Sequence, residues 1–176
     1  MIAEFASIET LFYLAALIAI IASLKVVTQK NTVHALLYLV VSLLAVAVCF
    51  YLMGAPFAAG LEVIVYAGAI LVLFVFAIMM FGLKDDETKY APQSKGLTIW
   101  VGPCFLAFTL LIALLLSLDN ADIQYKLSAT VVSSKQVGML LYGPYLLAVE
   151  IASFLLLAGL VAGYHYAKPD AQGGHL

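Results

Sequence analysis

Apolar positions fall in long uninterrupted blocks, and the few charged residues stand between them. The stretch TLFYLAALIAIIASL between Glu9 and Lys25 predicts a helix over 10–27 if Lys25 snorkels its ammonium to the interface. TVHALLYLVVSLLAVAVCFYLM predicts a second over 32–53, with His34 near one end. Gly54-Ala55-Pro56 then breaks the pattern, because proline lacks an amide hydrogen and glycine relaxes the backbone. A third run covers 57–83 and is interrupted only by Glu62. The fourth, 96–118, carries no charge, and the fifth, 137–167, is interrupted only by Glu150, with Gly143-Pro144 near its start. A bilayer core of about 30 Å needs about 20 apolar residues rising about 1.5 Å each. Five transmembrane helices fit; membrane strands do not, because they alternate apolar and polar residues. The pattern predicts an all-α integral membrane protein, one membrane domain over 1–176 with a polar tail at 168–176.

Composition strengthens that reading. Of the 176 residues 65% are hydrophobic and 10% charged, against roughly 45–50% and 25% in a soluble domain. So short a chain cannot hide the excess in a core. The net charge is −2, with eight lysines and no arginine, so no basic face is offered to nucleic acid. Lysine placement sets the orientation. With the N-terminus outside, Lys25, Lys30, Lys84, Lys89, Lys95 and Lys168 face the cytoplasm, and only Lys126 and Lys135 lie outside. The positive-inside rule favours this N-out, C-in arrangement. The first run has Glu4 and Glu9 ahead of it and no lysine, so it reads as a retained helix rather than a signal peptide.

Cofactor chemistry has little to stand on. No glycine-rich nucleotide loop is present. Cys49 and Cys104 sit singly in apolar runs, which argues against zinc or iron–sulfur ligation and reads as two inert thiols. His34, His165 and His175 are scattered, and His34 reads as a hydrogen-bonded interfacial group rather than a proton relay. No catalytic residue, metal ligand or cofactor contact is expected on this chain.

Two features remain. Glu62 and Glu150 each follow a helix-starting Pro-aromatic pair by about five residues, which places both about 7 Å below the outer interface. A carboxylate at such a place is a protonatable site, a hydrogen-bond partner for a neighbouring subunit, or a group snorkelling to the near surface. The second feature is small residues. Ala158-Gly159 and Ala162-Gly163 make overlapping small-xxx-small pairs, a face on which another helix can pack closely. In the third run, Tyr66-Ala67-Gly68-Ala69 puts a glycine and a tyrosine hydroxyl in mid-membrane, which fits a close helix crossing or a place where the helix bulges.

These residues also carry a resemblance. LEVIVYAGAILVLFVFAIMM (61–80), NTVHALLYLVVSLLAVAV (31–48) and YGPYLLAVEIASFLLLAGLVAG (142–163) resemble the third, second and fifth helices of chain J of bacterial proton-pumping NADH:quinone oxidoreductase, respiratory complex I, the counterpart of mitochondrial subunit six. The resemblance spans the whole chain in order. It implies a π-bulge at Tyr66, Ala67 and Gly68, with the half-helix carrying Leu71, Val72 and Phe74 turning to open or close a hydrated path. It implies location in the bacterial inner membrane and partners among the quinone-module and antiporter-like subunits, with lipid around them. FMN, iron–sulfur clusters and the quinone are implied to be held elsewhere, the quinone touching this chain only indirectly. Two other functions stay open at this point. One is a homologous subunit of a membrane-bound hydrogenase or other quinone oxidoreductase. The other is a small secondary transporter using Glu62 or Glu150, though no inverted repeat is visible.

Overall fold

The computed structural model describes residues 8–29, 31–81, 96–119 and 131–167. Among them every regular element is helical: α1 (Ile8–Thr28), α2 (Thr32–Leu52), α3 (Pro56–Leu61), the π-helix π1 (Glu62–Ile70), α4 (Leu71–Phe81), α5 (Gly96–Asp119), α6 (Ser134–Leu141) and α7 (Leu146–Ala167). Because α3, π1 and α4 run on without a gap, they form one span, and five helical stretches are long and apolar enough to cross a membrane. The tail at 168–176 and most of the two longer connections lie outside the described residues.

Local chemistry sets the ends. The Asn31 side chain caps α2, its Oδ1 accepting from the amides of Val33 at 2.9 Å and His34 at 3.3 Å. At the other end Gly54 takes a left-handed φ of 80°. The amide of Ala55 then donates to Phe50 O at 3.0 Å and that of Gly54 to Tyr51 O at 3.1 Å, the paired bonds of a Schellman stop. Pro56 follows as the first residue of α3, where a missing amide hydrogen costs nothing.

The chain divides into two compact units, 1–132 and 133–176. In the first, α1, α2 and α5 share a core whose residues recur at helical spacing: Leu11, Ala15, Ile18 and Ala22; Val41, Ala45, Val48 and Leu52; Leu110 and Ala113. Ala15, Ala22 and Ala45 are completely buried, so the helix backbones approach closely, as lipid-embedded helices require. One polar clasp crosses this seam. The Ser23 and Ser42 hydroxyls lie 2.8 Å apart, and Ser42 also donates to Ala19 O at 3.2 Å. Where α2 meets α5, Gly102 faces Tyr38, and a Cβ at Gly102 would overlap the Tyr38 hydroxyl.

The second unit corrects the expected single helix over 137–167. Two helices occupy it, α6 and α7, separated by a turn at 142–145. The reason is Pro144, which cannot donate to Leu140 O and whose ring would strike it in a continuous helix. That carbonyl accepts from Gly143 at 3.4 Å and Tyr145 at 3.1 Å instead. Ser133 starts α6 with a capping box, its Oγ accepting from Gln136 N while its own amide donates to the Gln136 side chain at 2.9 Å.

Candidate functional site: a π-helical segment in the third span

Nine residues of the third span, Glu62–Ile70, are wound as π-helix, with hydrogen bonds reaching back five residues instead of four. The bond that closes the segment is explicit. The amide of Leu71 donates to Tyr66 O, five residues back, and shares its hydrogen with Gly68 O. The sequence contributes in two ways. Val63-Ile64-Val65 is a β-branched run, whose stiff side chains crowd an α-helical turn. Gly68 has no side chain to obstruct the wider turn: a Cβ there would come within 3.2 Å of Val63 O, the carbonyl five residues earlier. The π winding therefore starts four residues ahead of the expected Tyr66-Ala67-Gly68 bulge and extends beyond it.

The residues expected to act together are distributed unevenly around this segment. Glu62 opens it and is half-buried; Ala67 and Gly68 are half-buried as well. Leu71, the first residue after it, is packed in at 5% exposure, whereas Val72 and Phe74 point outward at 61% and 54%. Tyr66 is also exposed, and among the described residues neither its hydroxyl nor the Glu62 carboxylate makes a hydrogen bond. The carbonyl of Tyr66 is satisfied by the backbone amide of Leu71.

Glu150 belongs to the second unit, where it lies exposed on α7. Gly159 and Gly163 also lie on α7, and a Cβ at either would meet no atom of the described residues within 4 Å. The His34 ring meets Trp100 edge-on at 6.3 Å, and its Nδ1 is shielded from solvent with no hydrogen-bond partner among the described residues. Periodicity did not single out the Gly102–Tyr38 approach or the Ser23–Ser42 clasp; isolated hydroxyls and a glycine in apolar runs were the only signals. Among the described residues no three His, Cys, Asp or Glu side chains gather to hold a metal.

With this geometry in place, comparison with known proteins is specific. The family described as NADH-ubiquinone/plastoquinone oxidoreductase chain 6 matches residues 22–165. NADH-quinone oxidoreductase subunit J of Pseudomonas aeruginosa is 52% identical over 166 residues, covering 93% of this chain and 99% of that protein. Its namesake in Escherichia coli K12 is 47% identical over 165 residues, 94% of this chain and 89% of the relative. Subunit J of Buchnera aphidicola from Schizaphis graminum is 43% identical over 163 residues, 91% and 98% of the two chains.

Proposed function

The chain belongs to the subunit J (chain 6) family and is a multi-pass membrane subunit of NADH-quinone oxidoreductase, and from that premise we propose that its third span couples quinone reduction to proton transfer. The observation that carries the reading is the π-helix at Glu62–Ile70, inside a span where every residue is otherwise α-helical. Each hydrogen bond of a π-helix reaches over one more residue than those of the α-helix around it, so its conversion to α-helix rotates everything beyond it. Here that portion begins with Leu71, packed inward, and Val72 and Phe74, pointing outward. Rotation exchanges these apolar side chains for open volume, and a file of waters forms or breaks without a titratable group at the moving point. Glu62 is the first residue of the segment, and in this reading it either exchanges protons with such a file or serves as a hydrogen-bonding group at its mouth.

In this reading the subunit performs no covalent chemistry. Flavin, iron–sulfur clusters and quinone are held by other subunits, and the chain sits N-out, C-in in the bacterial inner membrane between quinone-module and antiporter-like partners. A cysteine at Gln124 labelled only from the cytoplasmic side contradicts that orientation.

The deciding experiment is Gly68→Val in the intact enzyme. Its branched side chain crowds Val63 O and holds one conformation. Coupled NADH:quinone turnover and pumping fall, while the complex assembles and NADH still reduces an artificial acceptor. Intact assembly with unchanged turnover and pumping overturns the gate.

A further inference from the structure

The span break at Tyr142–Tyr145 leaves α6 outside the fifth span, and we propose that α6 lies flat in the lipid interface, on the side of the membrane where the Gly54 turn emerges. Both of its ends are fixed at that level by observations independent of its composition. The chain enters through Val132, whose amide donates to Gly54 O at 3.1 Å, and Gly54 is the turn at which the second span ends and the third begins. It leaves through only four residues, Tyr142–Tyr145, before α7 starts its crossing. Five alternating spans put both points on one side. Between them α6 has eight residues, about 12 Å of helix, against a hydrocarbon core of about 30 Å. A helix held at one surface by both ends runs along that surface.

Its side chains fit that position. At about 100° per residue, Val137, Leu140 and Leu141 share one arc, and Lys135 stands opposite it. Leu140 and Leu141 are exposed at 51% and 41%, so neither is consumed by packing among the described residues. Met139 falls on the lysine side, which leaves the apolar arc narrow, as suits a helix sunk only to the level of the acyl-chain boundary. Tyr142 and Tyr145, exposed at 75% and 59%, follow directly, and tyrosine favours the headgroup level, where its ring is apolar and its hydroxyl wet. The occupant that satisfies the apolar arc, the opposed ammonium and the flanking phenols together is phospholipid.

The test uses the whole enzyme carrying Lys135→Cys, Leu140→Cys or Leu141→Cys, labelled with bimane and reconstituted in phosphatidylethanolamine/phosphatidylglycerol vesicles. Unsubstituted enzyme supplies the blank for Cys49 and Cys104, and NADH:quinone turnover verifies assembly. At positions 140 and 141, fluorescence is expected to be lost to phospholipid brominated in its acyl chains and spared by aqueous iodide. The label at position 135 is expected to behave in the opposite way. If Leu140→Cys does not assemble, Leu141→Cys reads the same arc. Labels at 140 and 141 shielded from both quenchers place a protein partner on the arc and overturn the proposal. Iodide quenching at all three positions puts α6 in water and also overturns it. Either result leaves the reading of the third span standing, because no residue of π1 is altered.

Discussion

Gly68 stands five residues after Val63, and a Cβ on it would approach the Val63 carbonyl oxygen to 3.2 Å. That distance is shorter than ordinary contact, so the carbonyl must give by a few tenths of an ångström for even a methyl group to enter. Gly68→Ala should therefore act as a weaker version of Gly68→Val. Strain of about 1 kcal/mol shifts a two-state equilibrium about fivefold. Coupled turnover in the alanine variant should fall between wild type and valine, with NADH oxidation by an artificial acceptor equal in all three. A valine variant as active as wild type removes the steric basis of the graded series.

Glu62 and Glu150 test a different property. If each carboxylate serves as an interfacial hydrogen-bonding group, glutamine keeps the shape and most of the bonds while removing the charge. Glu62→Gln and Glu150→Gln should each retain part of NADH-driven acidification in inverted membrane vesicles. Complete loss with normal assembly and electron transfer would make that acid an obligatory proton carrier.

On α7 the glycines report on neighbours. Because a Cβ at Gly159 or Gly163 touches nothing within 4 Å, a larger side chain there disturbs no contact within the chain's own described residues. Gly159→Leu and Gly163→Leu should nevertheless reduce intact complex in membranes, since a bulky side chain separates helices that pack through small residues. Wild-type amounts of complex with either change show that no helix packs on this face.

Gly102 calls for the reverse expectation. Its missing side chain is filled by Tyr38 from α2, so Gly102→Ala forces the tyrosine aside. Overpacking of this kind costs about 1–3 kcal/mol, readable as a lower thermal midpoint of the solubilised complex. Adding Tyr38→Phe removes the overlapping hydroxyl and should restore part of the loss. If the double variant is no more stable than Gly102→Ala alone, the two residues do not touch as the structure has them.

Five spans were legible because their apolar blocks are nearly free of charge, and length alone decides such a case. The break at Gly143-Pro144 was visible as a pair of residues, yet apolar residues continue on both sides and hydropathy runs straight through it. Only the backbone shows Leu140 O abandoning the position that proline cannot serve. The π-helix was legible only in part. Widening a turn by one residue barely alters an apolar pattern that covers every face, so composition could suggest Gly68 and the family resemblance could suggest Tyr66-Ala67-Gly68. Neither marks the start at Glu62. The edge-on contact of His34 with Trp100 was not legible either, because Trp100 comes from a helix distant in sequence.

The Ser23–Ser42 clasp bears on how the protein is made. Its two hydroxyls are 19 residues apart, and both helices that carry them leave the ribosome before any other span is complete. The first two spans can therefore zip together as a hairpin while the third is still being synthesised. Such a hairpin satisfies both hydroxyls before α5, which carries the Gly102 face, is made. Within the first unit, insertion becomes a sequence of dockings, with α5 closing on a pair of helices already in place.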